Sequence, residues 1–168
     1  MGEQRERRLI AEWARERFPT ERKMFNVPLG SEHEELDEVY KQIRGLNSWH
    51  PWRLKADCVV VTGSCLIIAE AKIFQLKSAI GDLLIYKGLI TSTPELQHYL
   101  PRIIELRAVM PWLNPSIQEL GTSSGVVIDV FSPPWIRDYV EEHGKYHTRP
   151  YMTKRLEKQR VIKSLGLE

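Results

Sequence analysis

Asp57, Glu70 and Lys72 are the residues whose types and spacing could do chemistry: an aspartate, then thirteen positions later a Glu-Ala-Lys triplet. They lie in KADCVVVTGSCLIIAEAK (55–72), two apolar runs that meet at Gly63-Ser64. Side chains alternate across a strand, so Asp57, Val59 and Val61 share one face, and Leu66, Ile68, Glu70 and Lys72 share a face of the second strand. A two-residue turn at Gly63-Ser64 pairs Thr62 with Cys65 and, counting outward, 61 with 66, 59 with 68 and Asp57 with Glu70. A turn at Thr62-Gly63 would shift the pairing by two and keep both acids on one face, whereas a three-residue loop would separate them. The turn chemistry favours Gly63-Ser64.

Opposed residues of a hairpin have Cβ atoms about 4.5–5.5 Å apart, where like charges repel. Two carboxylates in a partly buried place need a shared proton or a cation between them. Such a pair suits a hard divalent cation, and Lys72, projecting the same way, could hold a water or steady charge developing on a phosphate. The bland alternative is an edge hairpin whose acids reach water while Lys72 pairs with Glu70. CLIIAEAKIF is too apolar for an edge strand, which argues against it.

The elements around the hairpin can be read from periodicity and breakers. Residues 3–18 have helical spacing, with Leu9, Ile10, Trp13 and Ala14 on one face and Pro19 as the stop. RKMFNVPLG (22–30) reads as a first strand, and the stretch 31–45 as a short acidic helix ended by Gly45. The hairpin strands occupy roughly 53–62 and 65–74. A helix over 77–91 carries Ile80, Leu83, Leu84 and Lys87 along one side. Residues 102–110 and 125–131 read as strands, SIQELG as a short helical turn, and WIRDYVEEHG as a helix. The expected fold class is α/β, a mixed β-sheet flanked by helices.

Composition bounds the rest. A length of 168 residues suits one core domain, expected over 1–143, with a basic tail over 144–168. The net charge of +2 hides an asymmetry. Seven Lys or Arg against two Glu from Gly144 onward give +5, leaving −3 on residues 1–143. A basic tail on a mildly acidic body suits a polyanionic partner, although a solvated helix has the same composition. Two cysteines make neither a disulfide framework nor a zinc pattern, and no apolar run is long enough for a membrane span. The charged start MGEQRERRLI is unlike a signal peptide. The expectation is a soluble cytoplasmic protein with no membrane contact. A P-loop, a Gly-rich dinucleotide turn and a nucleophile elbow are all absent.

The Asp and the Glu-Ala-Lys thirteen residues apart on a hairpin, within helix, three strands, helix, strand, resemble the PD-(D/E)XK nuclease superfamily over roughly residues 3–131. Ala56 stands where that family commonly has Pro. The resemblance implies a restriction-endonuclease-like αβββαβ core and a DNA-cleaving, Mg²⁺-dependent activity, with Mn²⁺ as a substitute ion. Asp57, Glu70 and the Ala71 carbonyl would hold the metal, and Lys72 would assist the water. ERRLIAEWARERF (6–18) resembles the first helix of archaeal Holliday-junction resolvases, which implies Glu6 as a further ligand. Helical geometry places Glu6 about 60° from Leu9, within the apolar face, although a frayed first turn would expose it. DLLIY (82–86) resembles the Gln-x-x-x-Tyr signature of RecB-like nucleases with Asp82 in place of Gln, so Tyr86 would contact DNA or order the site.

Nucleic acid would further meet Trp49, Trp52 and Arg53 of SWHPWRLK, where aromatic and basic residues interleave, and Lys154, Arg155 and Lys158 of the tail. The two tryptophans beside Pro51 equally suit the closed end of a core. Asp129 reads as a satisfied polar residue near a strand end. A two-stranded substrate would favour a homodimer, though no stretch marks a dimer surface. The competing reading is a catalytically silent nucleic-acid-binding or assembly module on the same fold.

Overall fold

The computed structural model describes residues 2–32, 53–146 and 157. The stretch expected as an acidic helix falls largely outside the described residues, as do Trp49, Trp52, Lys154, Arg155 and Lys158. The chain divides into two compact units, Met1–Phe131 and Ser132–Glu168.

The first unit runs α1 (Gly2–Arg17), β1 (Arg22–Pro28), β2 (Lys55–Val61), β3 (Cys65–Ala71), α2 (Leu76–Leu89), two 3₁₀ turns, β4 (Ile103–Met110), α3 (Pro115–Ser124) and β5 (Val126–Val130). The five strands form one sheet in sequential order. β1, β2 and β3 are a meander of antiparallel pairs, whereas β4 is parallel to β3, and β5 to β4. The parallel steps require crossovers, which α2 and α3 supply. This mixed sheet flanked by helices is compatible with a restriction-endonuclease-like core. β3 is central, so its apolar character reflects burial on both faces, and the edge-hairpin alternative does not hold.

The turn at Gly63-Ser64 forms as its chemistry requires. Thr62 N donates to Cys65 O at 2.9 Å, and Cys65 N returns to Thr62 Oγ1 at 2.8 Å. This closes the register with Val61 opposite Leu66 and Val59 opposite Ile68.

One face of the sheet packs Val59, Leu66, Ile68, Leu106, Ala108 and Met110 against Ala79, Ile80, Leu83 and Tyr86 of α2. Alternate residues, including Cys58, Val60, Ile67 and Ala69, are buried toward the other face, where α1 lies along β2 and β3 with Leu9, Ile10, Trp13 and Ala14 inward. The side expected to join Ile80, Leu83, Leu84 and Lys87 is not the buried stripe of α2, and Lys87 is exposed. Leu84 is 42% exposed, while Leu76, Ala79, Ile80, Leu83 and Tyr86 form the buried stripe. Leu83, Leu84 and Ile85 are consecutive, so periodicity alone could not choose among them.

Trp13 Nε1 on α1 donates to Asp129 Oδ2 on β5 at 2.9 Å, and Arg107 Nη1 reaches the same oxygen at 3.1 Å. Asp129 is thus the satisfied polar residue expected. SIQELG is the interior of a longer helix. The Asn114 side chain caps its start through Ile117 N, and Gly125, at a left-handed φ of 69°, ends it before β5.

In the second unit, Trp135–Tyr146 forms α4, with an exposed Arg137–Glu141 pair one turn apart. Among the described residues, no helix is long and apolar enough to cross a membrane.

Candidate functional site

The site grows from the point where β2 and β3 part. Their pairing runs to Cys58 opposite Ala69, so Asp57 and Glu70 stand one step beyond the last pair, on the α2 face. Past that step side chains take over the backbone's bonds: Ala71 N donates to Asp57 Oδ2 at 3.0 Å, and Asp57 N lies 3.4 Å from Glu70 Oε2. β3 meanwhile stays bound to β4, with Lys72 N donating to Val109 O at 3.1 Å. A rigid central strand therefore presents Glu70 and Lys72, and the parting strand presents Asp57.

Three other elements complete the surroundings. Glu6 on α1 accepts a hydrogen bond from Ile73 N at 3.1 Å, which brings the first turns of α1 to the end of β3. Tyr86 OH on α2 donates to Lys55 O at 3.0 Å and stands 3.4 Å from Glu70 Oε2. Lys72 Nζ binds Glu70 Oε1 at 2.6 Å and lies 3.8 Å from Asp82 Oδ2 of α2.

Electrostatics here are dominated by acid. Burial, then the charge of Asp57, pushes Glu70 from 4.5 up to about 7, against the pull of Lys72. Burial also raises Asp57, despite the Ala71 hydrogen bond and the charges of Lys72 and Arg7. Burial works against charge on Lys72, but the Glu70 hydrogen bond and the charges of Glu70, Asp57 and Glu6 outweigh it, so its pKa stands above the ordinary value. Tyr86 is held neutral by burial and the surrounding carboxylates. Four acids (Glu6, Asp57, Glu70 and Asp82) and two bases (Arg7 and Lys72) act on this locus, so acid is in excess.

That donor set, oxygen-rich and short of positive charge, fits a hard divalent cation. Among the described residues, no three His, Cys, Asp or Glu side chains are already gathered at metal-holding distance. Glu6 is engaged by Ile73 N and Glu70 by Lys72, which are the bonds a cation would have to displace.

The expected residues thus separate. Glu6, Asp57, Glu70, Ala71, Lys72 and Tyr86 converge at the end of the central strands. Tyr86 is 6% exposed, with its hydroxyl turned to the Lys55 carbonyl. Arg53 corrects an expectation. Its buried guanidinium donates to Pro28 O and Leu29 O and grips Glu95 at 2.9 and 2.8 Å, so it joins chain segments rather than facing a ligand. Asp82 and Arg7 were not foreseen as site residues. Asp82 was visible as an acid one helical turn before Tyr86, and Arg7 as the neighbour of Glu6. A surface recess lined by Gln118, Gly121, Thr122 and residues 125–128 contains no acidic or basic side chain and is not this site.

No protein-family model matches the chain, and no curated protein matches it. Among solved structures it is similar to the crystal structure of a repair endonuclease from Pyrococcus abyssi, at 16% identity and a TM-score of 0.36. That match covers 62% of this chain and 49% of the other, so the likeness spans about half the length of the solved protein.

Proposed function

We propose that this protein is a metal-dependent nuclease that hydrolyses phosphodiester bonds in DNA. The observation that carries this reading is half-buried Asp57 and buried Glu70, one step beyond the last β2–β3 pair, with Lys72 bound to Glu70. Asp57 and Glu70 would hold Mg²⁺, or Mn²⁺ in its place, joined by Glu6 and the carbonyl of Ala71. The ion would supply Lewis-acid stabilisation of charge on the scissile phosphate and a more acidic water.

The chain's own groups have distinct parts. Lys72 is protonated, so it acts as a hydrogen-bond donor that orients the attacking water and steadies charge on phosphate oxygens, not as a proton acceptor. Asp82 holds the far side of that ammonium, and Tyr86 pins the Lys55 carbonyl next to the carboxylates. Arg7 and the basic tail would meet the backbone of the nucleic acid.

The Lys72–Glu70 ion pair also supports the second reading, a silent nucleic-acid-binding module in which the ammonium permanently replaces a metal. Cleavage of labelled single-stranded, duplex, nicked, branched and circular DNA in Mg²⁺, Mn²⁺ or EDTA, by wild type and Glu70→Ala, separates the two. Metal-dependent cutting that disappears in the variant supports the nuclease. Uncut DNA that both proteins bind equally supports the silent module.

A further inference from the structure

Two large aromatic side chains stand exposed where the sheet presents the carboxylates, and the proposed chemistry uses neither. Phe74, 41% exposed, lies two residues beyond Lys72, and Trp112, 36% exposed, lies two residues beyond the end of β4. Their ring centroids are 6.2 Å apart with planes tilted by 57°. The Lys72 N to Val109 O hydrogen bond ties the two strand ends together, so both rings leave the sheet beside Glu70 and Lys72. Leu113, next in the chain, is 52% exposed and extends the apolar surface. Lys77, exposed, lies three residues beyond Phe74 in the first turn of α2.

An apolar aromatic surface beside a phosphate-handling centre matches a strand whose base is free to stack. In a continuous duplex the base faces are covered by their neighbours, and rings of this kind would meet only the sugar-phosphate edge. We propose that Phe74 and Trp112 form a stacking platform for an unpaired base next to the scissile phosphate, so that the site takes single strands or the single-stranded arm of a branched DNA. This rests on the nuclease reading for its substrate, but stacking can be measured without cleavage.

The test is fluorescence anisotropy in EDTA with a labelled 20-nucleotide single strand and the matching duplex. Wild type would be compared with Trp112→Ala, Phe74→Ala and Trp112→Phe, each checked for native circular dichroism. Loss of one stacking ring is expected to weaken single-strand binding by about tenfold or more. Duplex binding should change less than twofold, and Trp112→Phe should recover most of the loss. Equal weakening on both DNAs, an unchanged single-strand affinity, or no binding to either would overturn the proposal. So would a dimer in light scattering that Trp112→Ala dissociates, because the rings would then join two copies of the chain. Failure of the nuclease reading is seen separately, as absence of metal-dependent cleavage by wild type.

Discussion

Asp57 accepts the Ala71 N–H at 3.0 Å one step beyond the last β2–β3 pair, which sets its carboxylate beside that of Glu70 instead of in solvent. The side chain stands in for a strand carbonyl, and the two acids share a partly dry space with one ammonium. That arrangement is unfavourable without a proton or a cation, so its consequences are measurable.

A divalent cation should relieve it. Titration calorimetry at pH 8 is expected to show Mg²⁺ or Mn²⁺ binding to wild type, weakened at least about tenfold in Asp57→Asn and in Glu70→Gln. Equal heats from all three proteins would remove the metal from the proposal.

Glu70 gives the pH dependence its sign. Its folded pKa of about 7 exceeds the ordinary 4.5, so between those values the native state binds more protons than the unfolded one. In EDTA this group's contribution to unfolding free energy therefore falls as pH rises from about 4.5 to about 7, and the penalty is complete above. Urea denaturation at pH 5 and pH 8 should show wild type losing more stability than Glu70→Gln. Mg²⁺ should bind more tightly above pH 7, because below it the ion competes with a proton. Parallel profiles for the two proteins would contradict the shift.

Lys72→Met separates electrostatic assistance from metal holding. Cleavage should fall by roughly 10²–10³-fold, the usual cost of one donor aimed at developing charge. Metal affinity should be kept or raised, since Glu70 is no longer bound to the ammonium. Activity within a factor of a few of wild type would exclude the assigned part.

Tyr86→Phe removes the hydroxyl that donates to Lys55 O. The expected loss is about 1 kcal/mol of stability, read from the urea midpoint, with slower cleavage because Asp57 begins two residues from that carbonyl. An unchanged midpoint and rate would make the hydroxyl dispensable.

Arg53→Ala should behave as a structural variant. With the guanidinium buried and Glu95 about a third exposed, the expected cost is about 2–4 kcal/mol, somewhat less than for a fully buried pair. DNA affinity of the folded fraction should be unchanged. A selective loss of DNA binding at full stability would restore the role the sequence suggested.

Much of the hairpin's geometry was legible because it is local. Gly63-Ser64, the alternation of Val59, Val61, Leu66 and Ile68, and the lack of polar residues elsewhere in β3 were enough to give the register that ends one step before Asp57 and Glu70. Glu6 was readable as an acid within an apolar helical face, and its bond to Ile73 N fits that reading. Arg53 was misread because its surroundings in the chain, tryptophans and Lys55, suggested a ligand, while its partners Pro28, Leu29 and Glu95 are 24 to 42 residues away. Leu84 was grouped with Ile80 and Leu83 along one side because a helix apolar on several sides offers no single stripe.

The sequence by itself determined the five strands, the helices before and after the β2–β3 hairpin and the hairpin register, since turn chemistry and a period of two act over a few residues. Only the tertiary structure decided that Asp82 reaches Lys72, that Tyr86 turns its hydroxyl to Lys55, and that Phe74 meets Trp112. Those contacts depend on where a parallel crossover sets α2 and the end of β4 against β3. That placement is fixed by packing across the whole sheet, a property that no short stretch of the chain contains.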